Sequence, residues 1–267
     1  MAKKKTRSNN AAEAEEYLRF LASLEGDLNE VSGSGRSKEE RQMLAHELLC
    51  AAEDAENPIG MIPPLLRAVR LDPGCIDARL TLLRIAGGPA SEVIDELQEL
   101  LALAEQELGA SFIEENRGFF WQLIETRPYM RLRAELAQTL HRAGRMDEAI
   151  AQCQAILLLN PNDNQGIRYL SIGLYLEAQR LTEADKLLVQ FDEDSAFWLW
   201  GRVLERFLTG DLPGATAWLG KARTQNRHVE DFLTGKRKLP SEPEPFYQPG
   251  QISEAVMCLG SIGPAWM

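Results

Sequence analysis

The 267-residue sequence predicts an all-α fold, a superhelix of stacked helical hairpins. Two observations carry that expectation. Between Ala90 and Gly109, Val93, Leu97, Leu100 and Ala104 fall on one face with Ile94, Leu101 and Leu108 beside them, a 3.6-residue period without period-2 alternation. The segment Met130 to Asp163 divides into two helical halves at Ala143-Gly144-Arg145, and weaker copies of the same pattern follow it in phase. Repetition at a few tens of residues makes each hairpin bury its apolar face against the next.

In chain order, residues 1–36 read as a flexible basic extension: lysines at 3, 4 and 5, a short amphipathic helix from about Ala11 to Leu24, and the linker Ser32-Gly33-Ser34-Gly35-Arg36. Ser37 is an N-cap with Glu40 completing a capping box, opening a helix to about Glu53. Leu65 to Pro73 ends one hairpin's second helix, and Ile76 to Ile85 begins the next hairpin. Residues 37–234 thus form the repeat domain, with a linker and short capping helix over 235–267.

The best repeat places Ala137, Gly144 and Ala149 where two packed helices approach closely, and stops at Leu159-Asn160-Pro161-Asn162-Asp163. The string GRMDEAIAQCQAILLLNPND resembles the second half of a tetratricopeptide repeat (TPR), which implies a right-handed superhelix of helical hairpins. Asn164 to Phe191 repeats the pattern with Leu170, Leu174, Tyr175, Ala184, Leu187 and Leu188, one residue out of register at the turn. Ser195 to His228 repeats it with a turn at Gly210-Asp211, Ala215 and Ala222 at the small positions, and Arg227 in place of proline.

Longer strings narrow the resemblance. Phe119-Phe120-Trp121, Glu125 to Arg131 and Leu159 to Leu170 resemble bacterial TPR proteins of the suppression-of-tumorigenicity-seven-like family, from about Asp54 onward. Leu233, Lys236 to Pro240, Tyr247, Gly250, Glu254-Ala255 and Ala265-Trp266 are similar to that family's closing segment, although Ser241 to Pro245 is rich in Pro and Glu. The resemblance implies a helical scaffold and no established chemistry.

Charge and motif content bound the function. Forty acidic residues against 29 Lys and Arg give a net charge of −11, which disfavours nucleic acid or an anionic membrane as the main partner. No stretch approaches the roughly 18 uncharged apolar residues of a membrane helix, so a cytoplasmic location is expected. The four cysteines form no CxxC pair, and no GxSxG, HExxH or Lys-terminated phosphate loop occurs. No catalytic residue, metal or cofactor is therefore assigned. His46 and Cys50 have the i, i+4 spacing of a metal pair, but no further ligands stand at matching spacing, and the plainer expectation is a satisfied core His and, as for the other cysteines, a reduced and buried Cys. Trp198, Trp200 and Trp218 suit either a ligand platform or a core, and the lysines at 3–5 either an acidic partner or simple solvation.

If the first helix of each hairpin lines an inner groove, that groove is formed by Arg131, Gln138, His141 and Arg142, then by Gln165, Arg168, Tyr169 and Tyr175. From Arg127 to Leu170 six arginines face four carboxylates, a locally positive stretch in an acidic chain. Arginine forks, amides and tyrosine hydroxyls suit an acidic peptide or protein partner held by a non-catalytic adaptor. Two alternatives stand beside it. Arg127, Arg131 and Arg168 are equally suited to structural pairs, and the groove of an enzyme or enzyme subunit would take a small anionic ligand.

Overall fold

The computed structural model describes residues 35–241, 244 and 246–266. The expected N-terminal helix, its lysines and most of the Gly/Ser linker lie outside them. The described residues are all-helical, with no strand among them. They divide into two compact units within the stretch read from sequence as one repeat domain: residues up to Pro89 with Glu99–Glu107, and Ala90–Gln98 with Leu108 onward.

In the first unit, α1 (Lys38–Glu53) opens with the expected capping box: the Ser37 hydroxyl accepts from the Glu40 N–H at 3.2 Å, and the Glu40 carboxylate accepts from the Ser37 N–H at 2.9 Å. Asn57 caps α2 (Pro58–Leu71), whose first residue is proline, and α3 (Ile76–Ala86) follows. Pro63 and Pro64 lie inside α2 and supply no N–H. The carbonyls they leave without a helical partner belong to Ile59 and Gly60, on an exposed first turn that is open to solvent. Ala45, Ala52, Ala68 and Ala78 form a small-residue core with Leu65 and Leu71, which lets α1, α2 and α3 approach closely.

The second unit takes in part of α4 (Ala90–Leu108), then α5 (Ala110–Glu115), a 3₁₀ turn (Ile124–Thr126), and three helical hairpins. These are α6 (Arg127–Arg142) with α7 (Met146–Leu159), α8 (Ile167–Glu177) with α9 (Leu181–Gln190), and α10 (Ala196–Leu208) with α11 (Leu212–Gln225). Each helix packs against its hairpin partner, and α7 on α8 and α9 on α10 link the hairpins in sequence. A short α12 (His228–Leu233), α13 (Ile252–Ile262) and a terminal 3₁₀ turn (Gly263–Trp266) complete it.

The three hairpin turns are built alike. In each, one N–H reaches back five residues to a carbonyl: Arg145 to Leu140, Arg180 to Tyr175, Asp211 to Arg206. In each, the preceding residue is left-handed: Gly144 at φ +74, Gln179 at +54 and Gly210 at +81. The middle turn thus places glutamine where its neighbours have glycine, and this is the hairpin whose pattern slips in the sequence. A β-carbon at this φ costs about 1–2 kcal/mol. Gln179→Gly should therefore raise stability by about 0.5–1 kcal/mol after the flexibility glycine adds to the unfolded chain, whereas Gly144→Val should lower it by about 1 kcal/mol or more. Urea titration checks both. The space around Gly144 is empty, so its effect comes from backbone conformation alone.

Candidate functional site

Of the first helices of the hairpins, α6, α8 and α10, the first two carry all but one of the residues singled out as a groove. Arg131 and Gln138 are exposed on α6. Arg142 is exposed too, and donates to Thr139 Oγ1 at 3.0 Å on its own helix. His141 bridges to the next hairpin, its Nε2 3.0 Å from the Glu177 carboxylate. Tyr175 is buried, its hydroxyl accepting from Gln154 on α7 at 3.2 Å. Gln165 stands in the loop before α8, and its buried Oε1 has no partner among the described residues.

Arg168 and Tyr169 come together in a network that begins before α8. Asp163 has a left-handed backbone (φ +48), which an aspartate tolerates. Its buried carboxylate accepts from the N–H groups of Ile167 at 2.8 Å and Arg168 at 3.0 Å, starting the helix. The Arg168 guanidinium then binds Asp163 Oδ2 at 2.9 Å, Glu193 Oε2 at 3.2 Å and the Tyr169 hydroxyl at 2.9 Å. Burial pushes the Tyr169 hydroxyl up to about 12, with the Glu193 charge adding to it. Burial also raises the Asp163 carboxyl, against the hydrogen bonds from Arg168.

The arginines counted along this segment are largely engaged inside the chain, by neutral acceptors as well as by carboxylates. Arg145 holds Glu148 through two bonds of 2.6 Å, Arg133 donates to Tyr129 and Gln152, and Arg127 donates to the Trp121 carbonyl while lying over its ring. Of the tryptophans, Trp198 and Trp200 are core, while Trp218 is half-buried under Arg202 and Lys221.

A different feature gathers on the first-helix face. The closing segment returns across it: α13 packs on α8, α10 and α12, and the terminal 3₁₀ turn packs on α8. Ala255, Val256, Cys258, Leu259 and Ile262 are buried there. Gly173 of α8 lies so close to α13 that a β-carbon on it would collide with the Ser261 carbonyl oxygen, and the Ser261 hydroxyl donates to the Tyr169 carbonyl. The Tyr247 ring meets Phe197 at 5.8 Å and Trp266 meets Trp200 at 6.3 Å, both edge-on.

Within this apolar contact one carboxylate is buried. Glu254 is 1% exposed and accepts from the N–H of Ala196 at the start of α10 (3.2 Å), Gln225 Nε2 (3.1 Å), Asn226 Nδ2 (2.9 Å) and the N–H of Gly250 (2.6 Å). All four donors are uncharged. Tyr247, Gly250, Glu254 and Trp266 are residues that carry the family resemblance of the closing segment, yet sequence reasoning assigned them no role. Apart from the Gly250–Glu254 bond, the contacts they make span 28 to 66 positions, and neutral amide donors leave no charge pattern to detect.

Among the groups with shifted ionisation, Asp163, Arg168 and Tyr169 gather around the Arg168 guanidinium, and the shifted thiol of Cys153 lies buried on α7. The thiol of Cys153 is pushed up to about 12 by burial, so it is unreactive at neutral pH. Its usual value is 9.0. The unfolded chain therefore releases this proton near pH 9 while the folded chain retains it, and stability should fall as pH rises from about 9 to 12. Cys153→Ala should make the alkaline loss shallower in urea titrations at pH 8 to about 10.5.

Cys153 and Cys258 are buried as expected, but Cys50 and His46 are not: they lie 3.9 Å apart on the exposed side of α1, and among the described residues no group of three or more His, Cys, Asp or Glu side chains is placed to hold a metal. No helix among them is long and apolar enough to cross a membrane. A cleft of about 600 Å³ in the first unit mixes Lys38, Arg41 and Arg70 with Asp72 and Glu107, and Lys38 pairs with Glu107 at 3.2 Å. An apolar cleft of about 500 Å³ lies beside Trp200, Phe207, Leu212 and Trp266. No family model matches the chain, and no curated protein is similar to it.

Proposed function

We propose that the chain is a bacterial TPR protein of the suppression-of-tumorigenicity-seven-like kind, a right-handed superhelix acting in the cytoplasm as a non-catalytic adaptor or scaffold. The first-helix face of the second unit is its binding surface, and a protein or peptide helix is its partner. One observation supports this above the others: the face already receives a helix, α13, through an apolar strip and a single carboxylate held by uncharged donors. That is helix-in-groove recognition with one polar anchor. The arginines expected to hold an acidic partner are engaged within the chain, and the amides around Glu254 take over that part.

Photo-crosslinking tests the reading. A benzophenone amino acid placed at exposed Gln138 on α6 should trap a discrete partner in the native host, and the purified partner should bind the full chain directly. The same group at Leu158 on α7 or Val189 on α9, exposed positions of second helices, should trap nothing comparable. Equal trapping from both faces, or no direct binding by the purified partner, would overturn it.

A further inference from the structure

We propose that residues 247–266 are a displaceable latch: α13 occupies the face that a partner helix of the same chemistry, apolar on one side with a carboxylate in its first turn, binds in its place. The inference rests on the adaptor reading and specifies its partner and its regulation. Three features support it. The described residues between Thr234 and Pro249 contain no helix and are exposed, so α13 has a tether long enough to leave without unwinding α12. The seat is made by the repeats: Ala196, Gln225 and Asn226 belong to α10, α11 and the residue after α11, and would face water with their donors already converged when α13 is away.

The present occupant also fits imperfectly. Gln225 Oε1 and Trp266 Nε1 are buried at this contact without a hydrogen-bond partner among the described residues. Both regain hydrogen bonds to water on release, which favours opening and leaves room for a ligand that satisfies them. The contact is close as well as apolar, because only a residue without a side chain at 173 admits Ser261. A latch of this kind opens locally, at a smaller cost than the repeats beneath it.

Thiol labelling of the full chain reads the latch, since Cys258 lies in α13 and Cys153 in α7, both buried. In native buffer Cys258 should be alkylated about 100-fold faster than Cys153, with helicity unchanged, as followed by mass spectrometry of the labelled peptides. Equal rates would mean that both are released only by global unfolding, and would overturn the latch. Gly173→Ala, which collides with α13 alone and favours helix in α8, should speed Cys258 labelling about tenfold or more. No change in that rate would equally overturn it.

The probe for the vacated face is a fluorescent synthetic peptide of residues 246–267. Glu254→Lys in the full chain should open the latch and bind this peptide at least about tenfold more tightly than the wild-type chain, and the double variant Glu254→Lys with Gly173→Ala should lose that gain. Fast Cys258 labelling without any peptide binding would retain the opening but sink the adaptor reading, because the exposed face would then receive nothing. Should Glu254→Lys lose helicity, the wild-type labelling ratio decides the question by itself.

Discussion

Arg168→Ala should lower the free energy of unfolding by about 3 kcal/mol and leave the charge on Asp163 buried without its cation. The Asp163 side chain is fully buried and that of Arg168 is 19% exposed, so the pair is broken in a poorly solvated place. The expected loss lies at the low end for a buried pair because the N–H groups of Ile167 and Arg168 still hold the carboxylate. Urea titration at neutral pH measures it. The loss should shrink as pH falls through the carboxylate range, where a protonated Asp163 no longer requires a cation. Arg168→Lys, which keeps the charge but cannot reach Asp163, Glu193 and Tyr169 together, should lie between. A variant with alanine at 168 that melts like the parent would show that the network contributes nothing to the fold and would return Arg168 to the binding surface.

Trp200→Ala should cost about 3–5 kcal/mol, the largest effect expected of any single core truncation here. Trp200 is 1% exposed on α10, and its indole N–H donates to the Asn226 carbonyl at 3.1 Å. Removing the ring leaves a cavity, orphans that carbonyl, and takes away the edge-on contact with Trp266. Trp200→Phe separates these contributions, since it keeps most of the ring and loses the donor; a cost of about 1–2 kcal/mol is expected. The Asn226 side chain holds Glu254, so Trp200→Phe should also loosen α13, seen as faster alkylation of Cys258. An unchanged alkylation rate would show that the Asn226 backbone does not depend on the indole.

The elements legible in the sequence are those determined by neighbours a few positions apart. The Ser37 and Glu40 capping box, the glycine turn at 144 and the end of α2 at Leu71 depend on local chemistry, and each stands where its residues place it. Gln179 was not legible as a left-handed residue because glutamine gives no sign of that conformation, and the two prolines inside α2 argue against the helix they occupy. The groove arginines show a further limit. Their charge was countable, but the carboxylates that meet His141 and Arg168 include Glu177 and Glu193, beyond the segment over which charge was balanced. The Glu254 seat was out of reach for a different reason: three of its donors come from residues 196, 225 and 226 of the repeats, and Glu254 meets them only through the return of the closing segment over α8 and α10.

That Glu254 is held entirely by uncharged donors has a kinetic consequence. A seat of amides exerts little pull on a carboxylate beyond a few ångströms, while the chain around it carries a net charge of −11. An acidic helix approaching this face is slowed at long range and captured only on contact. Added salt should therefore quicken association rather than weaken it, the reverse of an arginine-lined groove. Discrimination between ligands would reside in how long each stays, set by the desolvated carboxylate and the apolar strip, and hardly at all in how fast each arrives.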